Sequence, residues 1–254
     1  MRRIVLALAV AAVMLLPAAP VPAGAARSFT ITAGGDILIH RGLAQIADAA
    51  APGTGVYDFT SMLAPLEPWV GEADLAICHL EGALDPENTG LSYYPLFNAP
   101  HEVAGALAAA GYDACSTAGN HTLDHGFTGV SDTLDLLDAA GIGHAGSARS
   151  EAERLPSLYQ VNGITVGHIA YTYGTNGIPA PSDKPWAVNL IGDGDAILDD
   201  ARWAREHGAE FVIASLHWGA EYQVRPTATQ TALAERLLAA EDIDLILGTH
   251  VHVV

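Results

Sequence analysis

The chain has 254 residues, of which 29 are acidic and 11 are lysine or arginine, so its formal charge is −18, and half of its residues are hydrophobic. That length and apolar content describe one large globular domain or two small ones, and they exclude a disordered chain. An acidic chain without a basic cluster is also a poor partner for nucleic acid, because neutralising phosphates requires many positive groups on one face.

Arg2 and Arg3 precede an unbroken apolar run over residues 4–16, and Ala23-Gly24-Ala25 offers the small residues that a signal peptidase accepts. The run is shorter than the roughly 20 residues of a membrane-spanning helix, and Pro17, Pro20 and Pro22 follow it. Residues 1–26 therefore read as a secretory signal and residues 27–254 as the mature domain. The expected location is extracytoplasmic, either secreted or at the cell surface. Cys78 and Cys115 lie in apolar, strand-like runs. Export permits a disulfide between them, but the expectation from such apolar runs is two buried thiols behaving as small hydrophobes.

From residue 29 onward, short apolar runs alternate with amphipathic stretches, the rhythm of a mainly parallel sheet with helical crossovers. Residues 29–34 predict the first strand, 63–70 a short helix, 74–79 the second strand, 102–110 an alanine-rich helix stopped by Gly111, and 112–117 the third strand. Apolar residues at helical spacing predict a helix over 129–140, closed by Gly141. Residues 158–161 and 164–171 flank Asn162-Gly163, a type I′ turn sequence, and predict a hairpin that breaks the parallel order. Residues 172–186 are rich in Gly, Pro, Ser and Asn without a period and predict a long loop. Helices near 195–206 and 229–240 then alternate with strands at 211–216 and 243–247. The sequence stops two residues after His252 with no closing element, so the C-terminal part of the domain is expected to be missing.

The informative pattern is positional. Five apolar runs each lead to residues of metal-ligand type: Asp36, Glu81, the pair Asn120 and His121, His217, and His250 with His252. In α/β sheets, ligands bind beyond the carboxyl ends of the strands, so these side chains are expected along one rim of one sheet. Imidazoles at period two on an extended segment point the same way, which pairs His250 with His252. The oxygen and imidazole donors of Asp36, Glu81, Asn120, His217, His250 and His252 suit Mn, Fe or Zn better than Ca, and a carboxylate in their midst suggests two divalent ions. Singly, each has a plainer reading: Asp36 as a turn residue, Glu81 as a solvated carboxylate, Asn120 as a helix cap. Asp124, three residues after His121, is positioned to accept from that imidazole and fix its tautomer, or simply to start a helix. His40, His79 and His125 fall near the rim as outer ligands or substrate contacts. His217 and His250 are expected to matter more to metal than His40 or His79, because they end strands. Arg41 and Arg225 follow in the rim loops, as anion contacts or as solvated surface charges.

In order, Gly35-Asp36, Leu80-Glu81-Gly82, Ala118-Gly119-Asn120-His121 with Asp124 and Gly126, His217-Trp218-Gly219 with Glu221-Tyr222, and Gly248-Thr249-His250-Val251-His252 resemble the CapA family. These are poly-γ-glutamate capsule biosynthesis proteins, similar in fold to the calcineurin-like metallophosphoesterases. The resemblance runs from about residue 29 to the end of the chain. It implies a layered α/β/β/α sheet sandwich, truncated at its C-terminus, around a dinuclear metal centre. It also implies a part in making, exporting or anchoring an anionic γ-linked glutamate polymer, with a membrane polymer-synthesis complex as partner. By the same resemblance Glu81 bridges the ions, Asp36 and His252 hold one, Asn120, His217 and His250 hold the other, and His121 is the general acid.

Three positions depart from the pattern. Leu38 stands where dinuclear phosphoesterases carry the histidine of Asp-x-His, which leaves the first ion short of a ligand unless His40 or water replaces it. His79 stands where the family commonly has asparagine, and Val251 where proline often separates the last two histidines. Three functional readings follow: a metal-dependent hydrolase or transferase serving the capsule polymer, a non-catalytic metal-bearing scaffold, or a general secreted phosphatase or nucleotidase acting on phosphoesters. A chain of charge −18 repels an anionic polymer, so both polymer readings need a local positive site, which bound ions supply.

Overall fold

A computed structural model describes residues 26–253, so the expected signal segment, all but its last residue, lies outside the described residues. The first half forms β1 (Ile31–Ile37), α1 (Arg41–Ala50), α2 (Thr60–Leu63), α3 (Glu67–Val70), β2 (Leu75–Leu80), β3 (Ala83–Asp85), β4 (Asn98–Pro100), α4 (Glu102–Ala110), β5 (Ala114–Ser116) and α5 (Gly126–Ala140). The second half forms β6 (Gly143–Ala145), β7 (Ser157–Val161), β8 (Ile164–Thr172), α6 (Asp195–Glu206), β9 (Phe211–His217), α7 (Ala228–Ala239) and β10 (Leu245–Thr249).

The strands sort into two four-stranded sheets and a small β3–β4 ribbon. One sheet is parallel throughout, in the order β1-β2-β5-β6. The other runs β10-β9-β8-β7 and is parallel except for the β7–β8 hairpin at Asn162-Gly163. Alternation along each strand gives every sheet two faces. Ala76, Cys78, Leu80 and Cys115 turn toward the helices and pack with Val103, Leu107, Leu134 and Leu137 of α4 and α5. Ile169, Tyr171, Val212 and Leu216 pack with Ile197 and Ala201 of α6 and Leu237 of α7. The opposite faces meet each other, Leu75, Ile77 and Ala114 against Val166, Ile213, Leu245 and Leu247. The layers are helix, sheet, sheet, helix, which is the α/β/β/α sandwich.

The helices end as the glycines dictate. Gly111 and Gly141 cap α4 and α5 in the left-handed conformation, at φ 100° and 75°. The N-terminus of α7 carries a capping box: the Thr227 side chain accepts from the Gln230 backbone N–H while the Gln230 side chain reaches back to the Thr227 N–H.

Four features differ from the sequence reading. The helix α1 was not anticipated; His40 at its N-cap makes no side-chain cap bond, and the helix is held instead by burial of Ala44 and Ala47. The strands β3, β4 and β6 have three residues each, too few for alternation to show. The five ligand-bearing runs do not share one sheet: β1, β2 and β5 lie in one, β9 and β10 in the other. Cys78 and Cys115 are in register across β2 and β5 and are joined as a disulfide, so they are not free thiols.

Candidate metal centre

The inter-sheet layer changes character along its length. From β2 it receives Leu75, Ile77, His79 and then Glu81; from β9, Ile213, Ser215 and His217; from β10, Leu245, Leu247 and Thr249. Apolar side chains fill the end where the strands begin, and donors fill the end where they finish. Because the two sheets face each other, one pocket of donors is built from both.

Asp36, Glu81, Asn120, His217, His250 and His252 all reach this pocket. Asp36 Oδ2 is 3.0 Å from His252 Nδ1, and Asp36 Oδ1 is 3.7 Å from His217 Nδ1. Glu81 Oε1 lies 3.7 Å from His217 Nε2 and 3.9 Å from His252 Nε2. The Asn120 Oδ1 atom is 2.9 Å from His217 Nε2. Two donors bound to one ion at about 2.1 Å sit about 3 Å apart when they subtend a right angle, so these separations suit shared ions. Glu81, His217 and His250 form one cluster whose donor atoms lie within 4.8 Å of one another, and Asp36, Glu81 and His252 form another.

His250 and His252 converge for a different reason from the one expected. The strand β10 ends at Thr249, and both histidines have left-handed backbones, φ 94° and 54°. Such conformations cost on the order of 1–3 kcal/mol in a residue with a side chain and persist where the surroundings hold them. Here the His250 N–H donates to the Asp36 carboxylate, and the Val251 carbonyl accepts from the Tyr222 N–H at 2.8 Å.

The pocket has the electrostatics of a cation site. Glu81 is 1% exposed and neither of its carboxylate oxygens has a hydrogen-bond partner. Burial, with Asp36 and other carboxylates nearby, pushes its pKa up to about 8. Burial raises Asp36 as well, against the His250 N–H and His252, which lower it. The imidazoles move the other way: burial, reinforced by neighbouring imidazoles, holds His217 and His250 below the usual histidine range, where they keep a lone pair. An unpaired buried carboxylate is strongly disfavoured, and a divalent cation relieves it while using the neutral imidazoles as ligands. These residues fit a metal ion.

His121 stands beside the donors with its Nδ1 donating to Asp124 Oδ2 at 2.7 Å. The same carboxylate oxygen accepts from the Phe97 N–H at 2.6 Å, and the Phe97 ring meets the His121 ring edge-on. That leaves His121 Nε2 toward the rim, 3.4 Å from the Asn176 amide nitrogen. Asn176 also reaches Asn120, and Tyr173 packs on the His250 ring with centroids 4.5 Å apart. Sequence reasoning missed both, because the 172–186 loop has no period to mark which residues turn inward. Of the other rim candidates, His40 packs edge-on against Phe97, His125 meets Ser92 Oγ, and Arg41 lies over the Tyr93 ring. A separate cluster of Asp138, His144 and Glu153 is already served by a cation, the Arg149 guanidinium.

Residues 30–254 match the family described as bacterial capsule synthesis protein PGA_cap. Similar proteins include the capsule biosynthesis protein CapA of Bacillus anthracis, 26% identical over 244 residues that cover 92% of this chain and 57% of that protein. The PGA biosynthesis protein CapA of Bacillus subtilis is 32% identical over 148 residues, 56% of this chain and 37% of that protein. A probable polyglutamine synthesis accessory protein of Mycobacterium tuberculosis is 28% identical over 265 residues, 88% of this chain and 68% of that protein. The chain thus spans only part of the length of these relatives, little more than half of the first. The family match takes in both sheets and every donor of the pocket, and the chain belongs to the bacterial capsule synthesis PGA_cap family, within the metallophosphoesterase-like superfamily.

Proposed function

We propose that this chain is the metal-dependent, hydrolase-like core of an exported protein serving poly-γ-glutamate capsule synthesis, export or anchoring. The observation that carries the metal reading is Glu81, buried without a partner among neutral imidazoles from the opposite sheet. The capsule role is supported by the relatives named CapA in two Bacillus species. Asp36 and His252 would hold one ion, Asn120, His217 and His250 the other, with Glu81 between them. Two Mn, Fe or Zn ions would supply Lewis acidity toward a substrate oxygen and activation of water near neutral pH.

The chain's own residues supply orientation and protons. His121, its Nδ1 proton held by Asp124, presents Nε2 to give a proton to a leaving group. Tyr173 and Asn176 wall one side of the pocket, against the His250 and His121 rings. The substrate class is a phosphoester or the anionic γ-linked polymer itself, drawn to a pocket where bound ions would offset a chain charge of −18. A membrane polymer-synthesis complex is the matching partner.

The test is metal analysis of the purified chain together with hydrolysis of bis(p-nitrophenyl) phosphate. The expected result is about two ions per chain, with His121→Ala keeping the metal and losing turnover of an unactivated alkyl phosphodiester far more than of the p-nitrophenyl ester, whose leaving group needs little protonation. Bound metal with no hydrolysis assigns the scaffold role instead, and a chain that takes up no divalent metal sinks the reading.

A further inference from the structure

The geometry points to His79 as a further metal ligand, its Nε2 completing the donor set of the ion held by Asp36 in place of the histidine missing at Leu38. The inference rests on the metal-centre reading above. Register places His79 directly beside Asp36, since the two residues are paired across the parallel strands β2 and β1. Paired positions on neighbouring strands present side chains to the same face about 5 Å apart, and here that face is the inter-sheet layer. Donor atoms of Asp36, His79 and His217 lie within 4.8 Å of one another, and the His79 and His217 rings stack with centroids 4.4 Å apart.

The ring is already oriented for ligation. His79 Nδ1 is 2.8 Å from Ser116 Oγ, and that hydroxyl is directed at the Cys78 carbonyl at 3.4 Å. With the Ser116 hydroxyl turned to that carbonyl, its oxygen is free to accept the Nδ1 proton of His79, the tautomer that leaves the lone pair on Nε2. That nitrogen has no hydrogen-bond partner, in a residue only 1% exposed. A histidine whose second nitrogen is anchored to a neighbour is the usual arrangement at a metal.

The alternatives for the missing ligand are turned away. Leu38 lines an apolar cavity of about 160 Å³ with Leu43, Phe59, Met62 and Val103. His40 packs against Phe97 and belongs to none of the donor clusters among the described residues. A plainer role for His79, as a spacer stacked under His217, would require neither an unpartnered Nε2 nor the Ser116 anchor.

The experiment measures zinc uptake by the full chain, freed of metal and titrated with zinc, for wild type, His79→Ala and His79→Gln, with circular dichroism to confirm folding. His79→Ala should lose about one ion per chain. His79→Gln, which restores an oxygen donor, should recover it with affinity reduced on the order of 10–100-fold. A second measurement needs no substitution: in ¹⁵N-histidine-labelled wild type, the His79 Nε2 resonance should shift on zinc addition as a coordinated nitrogen does. A folded His79→Ala chain with undiminished zinc stoichiometry, or an unmoved Nε2 resonance in a zinc-loaded wild type, overturns the His79 assignment while leaving the metal centre standing. A wild-type chain that binds no zinc overturns both.

Discussion

Asp124 holds two things at once, the His121 imidazole and the Phe97 N–H, through the same buried oxygen. Asp124→Asn can still offer one oxygen to both donors but removes the negative charge behind the His121 ring, so phosphodiester turnover should fall on the order of 10–100-fold with zinc content unchanged. Loss of the metal together with activity would show that Asp124 supports the donors rather than the proton. Gly119 is the complementary case. A Cβ there would lie 3.0 Å from His79 Nε2 and 3.3 Å from the Glu81 carbonyl, so Gly119→Ala should weaken zinc affinity at least tenfold while the helices and sheets stay intact by circular dichroism. The candidate donors were readable because each follows an apolar run that fixes its place. Residues whose roles depend on ring orientation or loop path were not: His79 looked one pleat too early, and Tyr173 and Asn176 sit in an aperiodic loop. The convergence of His250 and His252 was foreseen, but its origin in two left-handed residues leaves no trace in a period-two pattern.

Long elements were legible for the same reason that they are stable. Each of α4, α5 and α6 shows helical spacing that its buried side realises, and the β7–β8 hairpin follows from Asn162-Gly163. What escaped was held by its neighbours: α1 by buried alanines, and β3, β4 and β6 by strand pairing together with burial of Leu84, Ala99 and Ala145 against the helices. At this scale, the α7 capping box predicts that Thr227→Ala lowers stability by about 1 kcal/mol, read as a shift in urea midpoint. Gln230, its reciprocal partner, also lies under Gly219 at φ 106°, where a Cβ would meet the Gln230 amide at 2.5 Å. Thr227→Ala should therefore loosen the 217–222 loop as well, seen as faster amide exchange there. A midpoint shift with unchanged exchange would confine the effect to the helix.

The whole molecule should respond to pH and metal through its inter-sheet layer. His168 is completely buried, and burial lowers its pKa to about 4 from the model-peptide value of 6.5. Between these values the unfolded chain binds a proton that the folded chain refuses, so this contribution is intact above pH 6.5 and is lost as pH falls toward 4. The loss amounts to about 3 kcal/mol. In metal-free protein, His168→Gln should flatten the decline of urea midpoint across that window; an unchanged slope would place the titration elsewhere. Zinc at a hundredfold excess over its Kd should raise stability by about 2.7 kcal/mol per site linked to folding, and chelation should reverse it. The division of donors between the sheets carries a further consequence. The oxygens of Asp36, Glu81 and Asn120 come from the first sheet, while the imidazoles of His217, His250 and His252 come from the second. Asp36 and His250 are 214 residues apart. During synthesis the ribosome releases the oxygens long before the imidazoles exist, so no early intermediate holds the full donor set. Capture with the full donor set then waits on the docking of the two sheets, and metal uptake serves as a clock for that moment.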